Sequence, residues 1–255
     1  MPRSTAIPAR LRLLQALDRT AGDALCRVVP PRARALATAG RGAGPLPAGA
    51  VRSVLVVRPG GLGDAVLTWP LLHALAAAWP DARVDVLAER RNAGAFRTGA
   101  HGPRVFLYDE APLATWRRLR AARYDLVIDT EQYHRLSILV ANALAPRWLC
   151  GFDTAGHGRF LTHAVAHSED DYEAESFLHL AAAVTGNAAT FVAGGAFVPV
   201  APAELAGARA TLAAAQGRRL VALMPGAGGE YRLWPAERYA EVARALHQVA
   251  LVEVV

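Results

Sequence analysis

Cysteine is scarce in this chain. Cys26 and Cys150 are its only two, they form no CxxC pair, and neither has a second cysteine or a histidine at metal-ligand spacing. Both read as reduced, structural thiols, which removes a disulfide framework and a thiolate metal site from consideration. No HExxH pattern occurs. His163 and His167 stand four apart, a spacing that can ligate zinc on a helix, but RFLTHAVAH alternates like a strand, so no metal site is expected. Long apolar runs are also missing: LSILVANALA is about ten residues long, against the roughly 18 that a membrane span requires. The early apolar positions of ARLRLLQALDR are interrupted by arginines and make no signal-peptide core. A cytoplasmic protein is the expectation. Lysine is absent altogether, so all 28 basic residues are arginine.

What is present supports a folded chain. Its 255 residues are 53% hydrophobic and 20% charged, enough for one large or two modest domains with a proper core. The formal net charge of +6 belongs to residues 1–50, where eight arginines face only Asp18 and Asp23; the remainder is balanced. Positive charge confined to one end, with no base-stacking pattern, argues against nucleic acid as a partner.

Within residues 8–28, Leu11, Leu14, Leu17, Ala21, Leu25 and Val28 recur at helical intervals among arginines, the pattern of a basic amphipathic helix. Such a helix packs on the domain behind it or lies on an anionic membrane surface. The Pro/Gly/Ala/Arg-rich stretch PPRARALATAGRGAGPLPAGA reads as a linker with little core of its own, closing an N-terminal region of residues 1–50.

From Val51 onward the texture becomes strand, turn, helix. SVLVV, RVDVLA, RVFLY and DLVID are strand candidates, WLCGF a fifth, and helical patterns fall at 64–79, about 90–97, 112–122 and 135–145. EAESFLHLAAAVTG supplies a closing helix, preceded by an acid run, SEDDYEAE, that suits a helix start. Apolar strands alternating with helices predict a parallel sheet covered on both faces, a Rossmann-like domain over 51–186. Residues 187–202 read as a connecting segment. The pattern then restarts over 203–255 with a helix at 202–216, the strand RLVALM, the loop PGAGGEYRLWP, a helix at 235–247 and the run VALVEVV, a second unit that is only partial.

Two glycine loops stand where strands hand over to helices: RPGGLGDA after SVLVV, and PGAGGEYR after RLVALM. In an open parallel sheet that edge receives ligands, and backbone N–H groups at a helix start attract anions. Neither loop fits a standard nucleotide motif, because GGLGDAV lacks the third glycine of GxGxxG and no GxxxxGK[ST] occurs. Glu89, at the end of the second strand, nevertheless keeps a dinucleotide-binding oxidoreductase open as an alternative. Asp64 sits where an aspartate either caps a helix or abstracts a proton. Asp129, Glu131, Gln132, His134 and Arg135 follow the fourth strand at the same edge. Arg135 is a candidate for an anionic group of a substrate, or a surface charge.

The stretch VLVVRPGGLGDAVLTWPLLHALAAAWPDARVDVLA resembles the first strand, loop and helix of the bacterial heptosyltransferases, the ADP-heptose:lipopolysaccharide transferases of glycosyltransferase family 9. VALMPGAGGEYRLWPAERYAEVARAL resembles the opening of that family's second domain, and DLVIDTEQYHRLSILVANALAPRWLCGFD its middle segment; together they cover most of 51–247. The resemblance implies an α/β fold of GT-B type, with a Rossmann-like N-terminal domain on the acceptor side and a partial second Rossmann-like domain that holds the donor. It implies an inverting, metal-independent transfer of heptose or a related sugar from a nucleotide diphosphate, with no resident cofactor, onto a lipopolysaccharide core or other lipid-linked glycan at the inner face of the membrane. Asp64 aligns with the family's proposed general base. Gly60, Gly61, Gly63 and Arg135 then lie on the acceptor side. Gly226, Ala227, Gly228 and Gly229 would offer amides to the donor's phosphates, and Arg232 would offset charge on the leaving diphosphate where the family often carries lysine. Trp234 and Pro235 would shape that loop and start its helix. The family's Gln-Gly is replaced here by EQYHRLS, which points to a different acceptor. The family's second domain also continues past the last residue of this sequence, so a truncated member is expected, with an inactive fragment or a glycan- or membrane-binding module as the alternative.

Overall fold

The computed structural model describes residues 18–37, 44–47, 49–97, 102–188, 190, 198–213, 220–227, 233–246 and 250–253. They fall into two compact units, Arg12–Pro199 and a second that holds Val200–Val255.

In the first unit a π-type turn over Asp18–Gly22 runs into helix α1 (Asp23–Val28). There follow β1 (Ser53–Val57), α2 (Leu62–Leu67), α3 (Trp69–Ala78), β2 (Arg83–Ala88), β3 (Arg104–Leu107), α4 (Pro112–Ala122), β4 (Leu126–Asp129), α5 (Arg135–Ala143), β5 (Trp148–Phe152), β6 (His163–Val165) and α6 (Glu173–Thr185). The six strands pair in parallel in the order β3-β2-β1-β4-β5-β6. That is the doubly wound order, whose switch point lies between β1 and β4.

Strand alternation sorts the core. Val54 and Val56 of β1 turn to the face covered by α3 and α6, meeting Leu71, Leu75, Phe177 and Val184. Leu55 and Val57 turn to the opposite face, against Leu119, Tyr124, Ile138 and Ala141. All four β1 side chains are fully or almost fully buried. A buried leucine or valine of this kind contributes about 1.5–3 kcal/mol, so β1 anchors both layers.

The strand expectations hold, and RFLTHAVAH does carry a short strand, with His163 buried and its ring nitrogens set near Thr162 Oγ1 at 2.9 Å and Gly44 O at 3.3 Å. Three readings need correction. The helix expected over 64–79 is two helices joined at Thr68, because Pro70 has no N–H to donate back to the preceding turn. The helix expected near 90–97 is a single 3₁₀ turn, Ala93–Phe96, since Asn92 spends its side chain on Glu89 N (2.9 Å) and Arg58 O (3.1 Å). The N-terminal amphipathic face is the third. Leu25 and Val28 are exposed, while Asp18, Gly22 and Cys26 face inward; residues 8–17 lie outside the described set.

Nor is the stretch after α1 a bare linker. Ala33, Ala35 and Leu46 are buried, and the amides of Arg34, Ala35 and Leu46 donate to Pro146 O, Arg147 O and Val184 O at 2.8–2.9 Å. The backbone of this stretch is thereby satisfied on the segment just before β5 and on the last turn of α6.

The second unit contains α7 (Pro202–Leu212), β7 (Leu220–Leu223), α8 (Ala236–Ala245) and β8 (Ala250–Glu253), with β7 and β8 paired in parallel. Among the described residues no helix is long and apolar enough to cross a membrane.

Candidate active site

The chain leaves β1 through Arg58, Pro59, Gly60 and Gly61. Gly60 has φ +102°, and a Cβ built there would lie 3.2 Å from Arg58 Nη2 and 3.6 Å from Asp64 Oδ2. Only glycine takes this conformation without strain, and only glycine lets those two side chains close over the backbone. Gly61 then caps α2. Its N–H donates to Asp64 Oδ2 at 3.3 Å. Asp64 is therefore a cap through one oxygen, while Oδ1 has no hydrogen-bond partner among the described residues and the side chain is half-buried. A carboxylate has two oxygens, so capping and proton abstraction are compatible.

Beneath this loop lies a buried polar scaffold. Arg58 is 3% exposed; its Nε donates to Pro59 O at 2.6 Å, Nη1 to Thr130 O at 3.2 Å and Nη2 to Glu131 Oε2 at 3.5 Å, and the guanidinium stands 5.4 Å from the Phe177 ring centroid. Glu131 Oε1 accepts from the amides of Gln132, Tyr133 and His134 at 3.1, 3.1 and 3.4 Å. One arginine thus fastens the loop after β1 to the loop after β4. Glu89 ties in the loop after β2, accepting from Gly60 N at 3.0 Å, from Arg91 Nε at 2.6 Å and from the Tyr108 hydroxyl. Burial, with Glu89 next, pushes the Tyr108 phenol up and keeps it a donor. With those donors in place Glu89 is occupied as a loop fastener, which removes the feature that kept a ribose-binding acid open.

Asp129 is buried at the end of β4. Its Oδ1 accepts from Glu131 N at 3.2 Å, Oδ2 has no hydrogen-bond partner among the described residues, and burial, reinforced by the nearby Glu131 charge, pushes its carboxyl up to about 7. Gln132 donates through Nε2 to Glu173 Oε1 at 2.7 Å and the Tyr133 hydroxyl to Glu169 Oε1 at 3.3 Å, so the acid run meets the loop after β4 at two points. Arg135 opens α5, and its Nε lies 3.5 Å from Asp23 Oδ1 of α1. The cation read as a substrate contact is engaged by the N-terminal segment.

Asp64, Gly60, Gly61 and Gly63 are thus gathered in one turn at the sheet's ligand-facing edge, with Arg135 at the start of α5 across the switch point. In the second unit β7 leads into Gly226, which is exposed with open space around it, and Ala227. Trp234 packs edge-on to Tyr239 at 5.0 Å, and Tyr239 donates to Met224 O at 3.2 Å, so this aromatic pair shapes the loop; Pro235 caps α8. Gly228, Gly229 and Arg232 lie outside the described residues.

Sequence reasoning missed Arg58 and Asp18. Arg58 had a signal, a lone charge placed between four apolar strand residues and a glycine loop. Asp18 had none, because the amide that it caps, that of Leu136, is 118 residues away.

Comparison with known proteins follows the same lines. Against curated proteins the sequence finds no match. The fold is similar to that of E. coli ADP-heptose lps heptosyltransferase II, with a TM-score of 0.62 and 20% identity over 79% of this chain and 63% of that one. It is similar also to a glycosyl transferase family 9 protein from Veillonella parvula (0.62, 16% identity, 79% and 62% covered) and to E. coli heptosyltransferase WaaC solved with ADP (0.62, 20%, 80% and 66%). This chain spans 62% to 66% of the length of these structures, and at such identities the likeness is one of fold: α/β of the GT-B type. The sequence profile of glycosyltransferase family 9 (heptosyltransferase) matches residues 113–255, more than half of the chain. With the doubly wound sheet and its glycine loop beside it, that match makes the chain a member of glycosyltransferase family 9.

Proposed function

We propose that the protein transfers heptose or a closely related sugar from a nucleotide diphosphate donor to a lipopolysaccharide core or similar glycan, with inversion and without a metal. The observation that carries the reading is Asp64: one oxygen is held by the Gly61 amide at 3.3 Å, and the other is left for an acceptor hydroxyl at the carboxyl edge of the sheet. As that hydroxyl oxygen attacks the anomeric carbon, Asp64 takes its proton. Gly60, Gly61 and Gly63 keep the backbone low enough for a sugar to approach, and Arg135, whose Nε faces Asp23 at 3.5 Å, offers its other guanidinium donors to an anionic group on the acceptor. The diphosphate leaves against the amides of Gly226, Ala227, Gly228 and Gly229 and the charge of Arg232. ADP, which the WaaC structure holds, is the first nucleotide to try.

The transfer is assayed with ADP-heptose and a lipopolysaccharide core acceptor. Asp64→Asn is expected to lower turnover at least a hundredfold while donor affinity stays within about twofold. Unaltered turnover leaves Asp64 as a cap only. Arg232→Ala is expected to weaken ADP binding, and a folded protein with no nucleotide preference sinks the reading. An anionic membrane face for the reaction is favoured by the outward side of α1, where Leu25 and Val28 are exposed next to the exposed Arg27. Vesicles of anionic lipid should retain the protein and neutral vesicles should not.

A further inference from the structure

Helix α5, which carries Arg135 and follows the loop of Glu131, has no side-chain cap of its own: His134 stands at its N-cap and contributes none. Its cap comes from the N-terminal segment. Asp18 Oδ1 accepts the Leu136 N–H at 2.6 Å, and Oδ2 lies 3.4 Å from His134 Nδ1. Asp23 reaches Arg135 at 3.5 Å. Gly22 is packed so tightly there that a Cβ would sit 3.1 Å from Arg135 Cβ.

The same segment grips the far end of α5. Asn142 Oδ1 accepts Arg32 N at 2.7 Å, and its Nδ2 donates to Pro30 O at 3.0 Å. Between the two ends Arg159 Nη1 donates to the carbonyls of Cys26 and Arg27 at 2.6 and 2.5 Å. Asp18 is 3% exposed, so its charge acts on the first turn with little screening. None of these N-terminal residues falls in the span that matches the family profile.

We propose that Asp18 is a positioning residue: residues 18–32 form a clamp on α5 that sets the loop Thr130–Arg135 and, through Glu131 and Arg58, the seat of the glycine loop. The effect on transfer rests on the function proposed above; the clamp itself does not. An aspartate at a helix start satisfies an otherwise orphaned N–H and favours the helix dipole. Here it does so in trans to the loop it steadies, so an alteration at Asp18 reaches the acceptor side without touching substrate.

Amide hydrogen exchange on the full chain tests this without any substrate. Asp18→Ala is expected to speed exchange over 130–136 about tenfold while 54–57 and 126–129 keep their protection. Asp18→Asn, whose Oδ1 still accepts from Leu136, should recover most of it. Unchanged protection at 130–136, or an equal loss across the sheet in both variants, overturns the clamp. If Asp18→Ala does not fold, Asp18→Glu, which moves the acceptor by one methylene, carries the same readout, with wild-type protection as the overturning result. In the transfer assay Asp18→Ala should raise the acceptor KM severalfold with kcat within about twofold; a fall in kcat at constant KM overturns the positioning role.

Discussion

The Arg58 guanidinium and the Glu131 carboxylate meet at 3.5 Å with both side chains almost fully buried, 73 residues apart in the chain. A buried pair gives little net stability over an apolar substitute, because desolvating two charges offsets their attraction. Its value here is register: it decides how the loop after β1 sits against the loop after β4.

Removing one partner is therefore expected to cost far more than removing both. Arg58→Ala should lower unfolding free energy by about 3–5 kcal/mol, since Glu131 is left buried without its cation. Combining Arg58→Met with Glu131→Gln should recover a large part of that loss. Urea denaturation of Arg58→Met, Glu131→Gln and the double measures the coupling; additive losses would show that the pair does not act as a unit.

Gly60→Ala tests the loop conformation. At φ +102° with Arg58 Nη2 only 3.2 Å from the new methyl, the cost should be on the order of 1–3 kcal/mol. Gly63, whose added Cβ meets nothing within 4 Å, should tolerate alanine with a far smaller change. Thermal melts of the two variants compare them directly.

Two buried groups tilt the pH dependence in opposite directions. Asp129 is pushed up to about 7, chiefly by burial, so the folded state holds a proton that the unfolded chain has released; its contribution is complete below about 4 and is lost as pH rises towards 7. His157 is pulled down to about 4, by burial first and the Arg135 charge second; its contribution is complete above about 6.5 and is lost as pH falls towards 4. Across pH 4 to 6.5 the two partly cancel. Relative to wild type, Asp129→Asn should gain stability progressively as pH rises over that window, and His157→Gln should gain it as pH falls. Each difference should approach about 1.4 kcal/mol per pH unit. Melting temperatures recorded from pH 4 to 8 read both, and flat difference curves would contradict the burial of these charges.

Asp64→Asn has a second expected outcome besides lost turnover. The amide oxygen can still accept the Gly61 N–H, so melting should change by no more than a few tenths of a kcal/mol. A large loss of stability would mean that Asp64 is chiefly a structural cap.

Much of the architecture was legible in the residues themselves. SVLVV, RVDVLA, DLVID and WLCGF are short apolar runs between helical patterns, and all four are strands of the parallel sheet. The glycine loop and Asp64 were legible too, because a turn that needs φ above zero and a helix start that needs an acid both leave local marks. The helix near 90–97 misled because its periodicity is genuine but the Asn92 side chain is claimed by the Glu89 amide three residues earlier and by the Arg58 carbonyl from another segment. The N-terminal helix misled in the opposite way. Leucines at helical spacing suggest a buried face, yet the face that docks is Asp18, Gly22 and Cys26, chosen by what α5 needs at its first turn.

The sequence alone determined the alternation of strand and helix, the glycine turn after β1 and the acid that follows it, since each depends on side-chain periodicity or on backbone freedom within a few residues. Only the tertiary structure decided that β1 lies between β2 and β4, that Arg58 joins Glu131, and that Asp18 caps a helix 118 residues away. Those contacts arise from chain closure and burial between distant segments, and no local pattern records them.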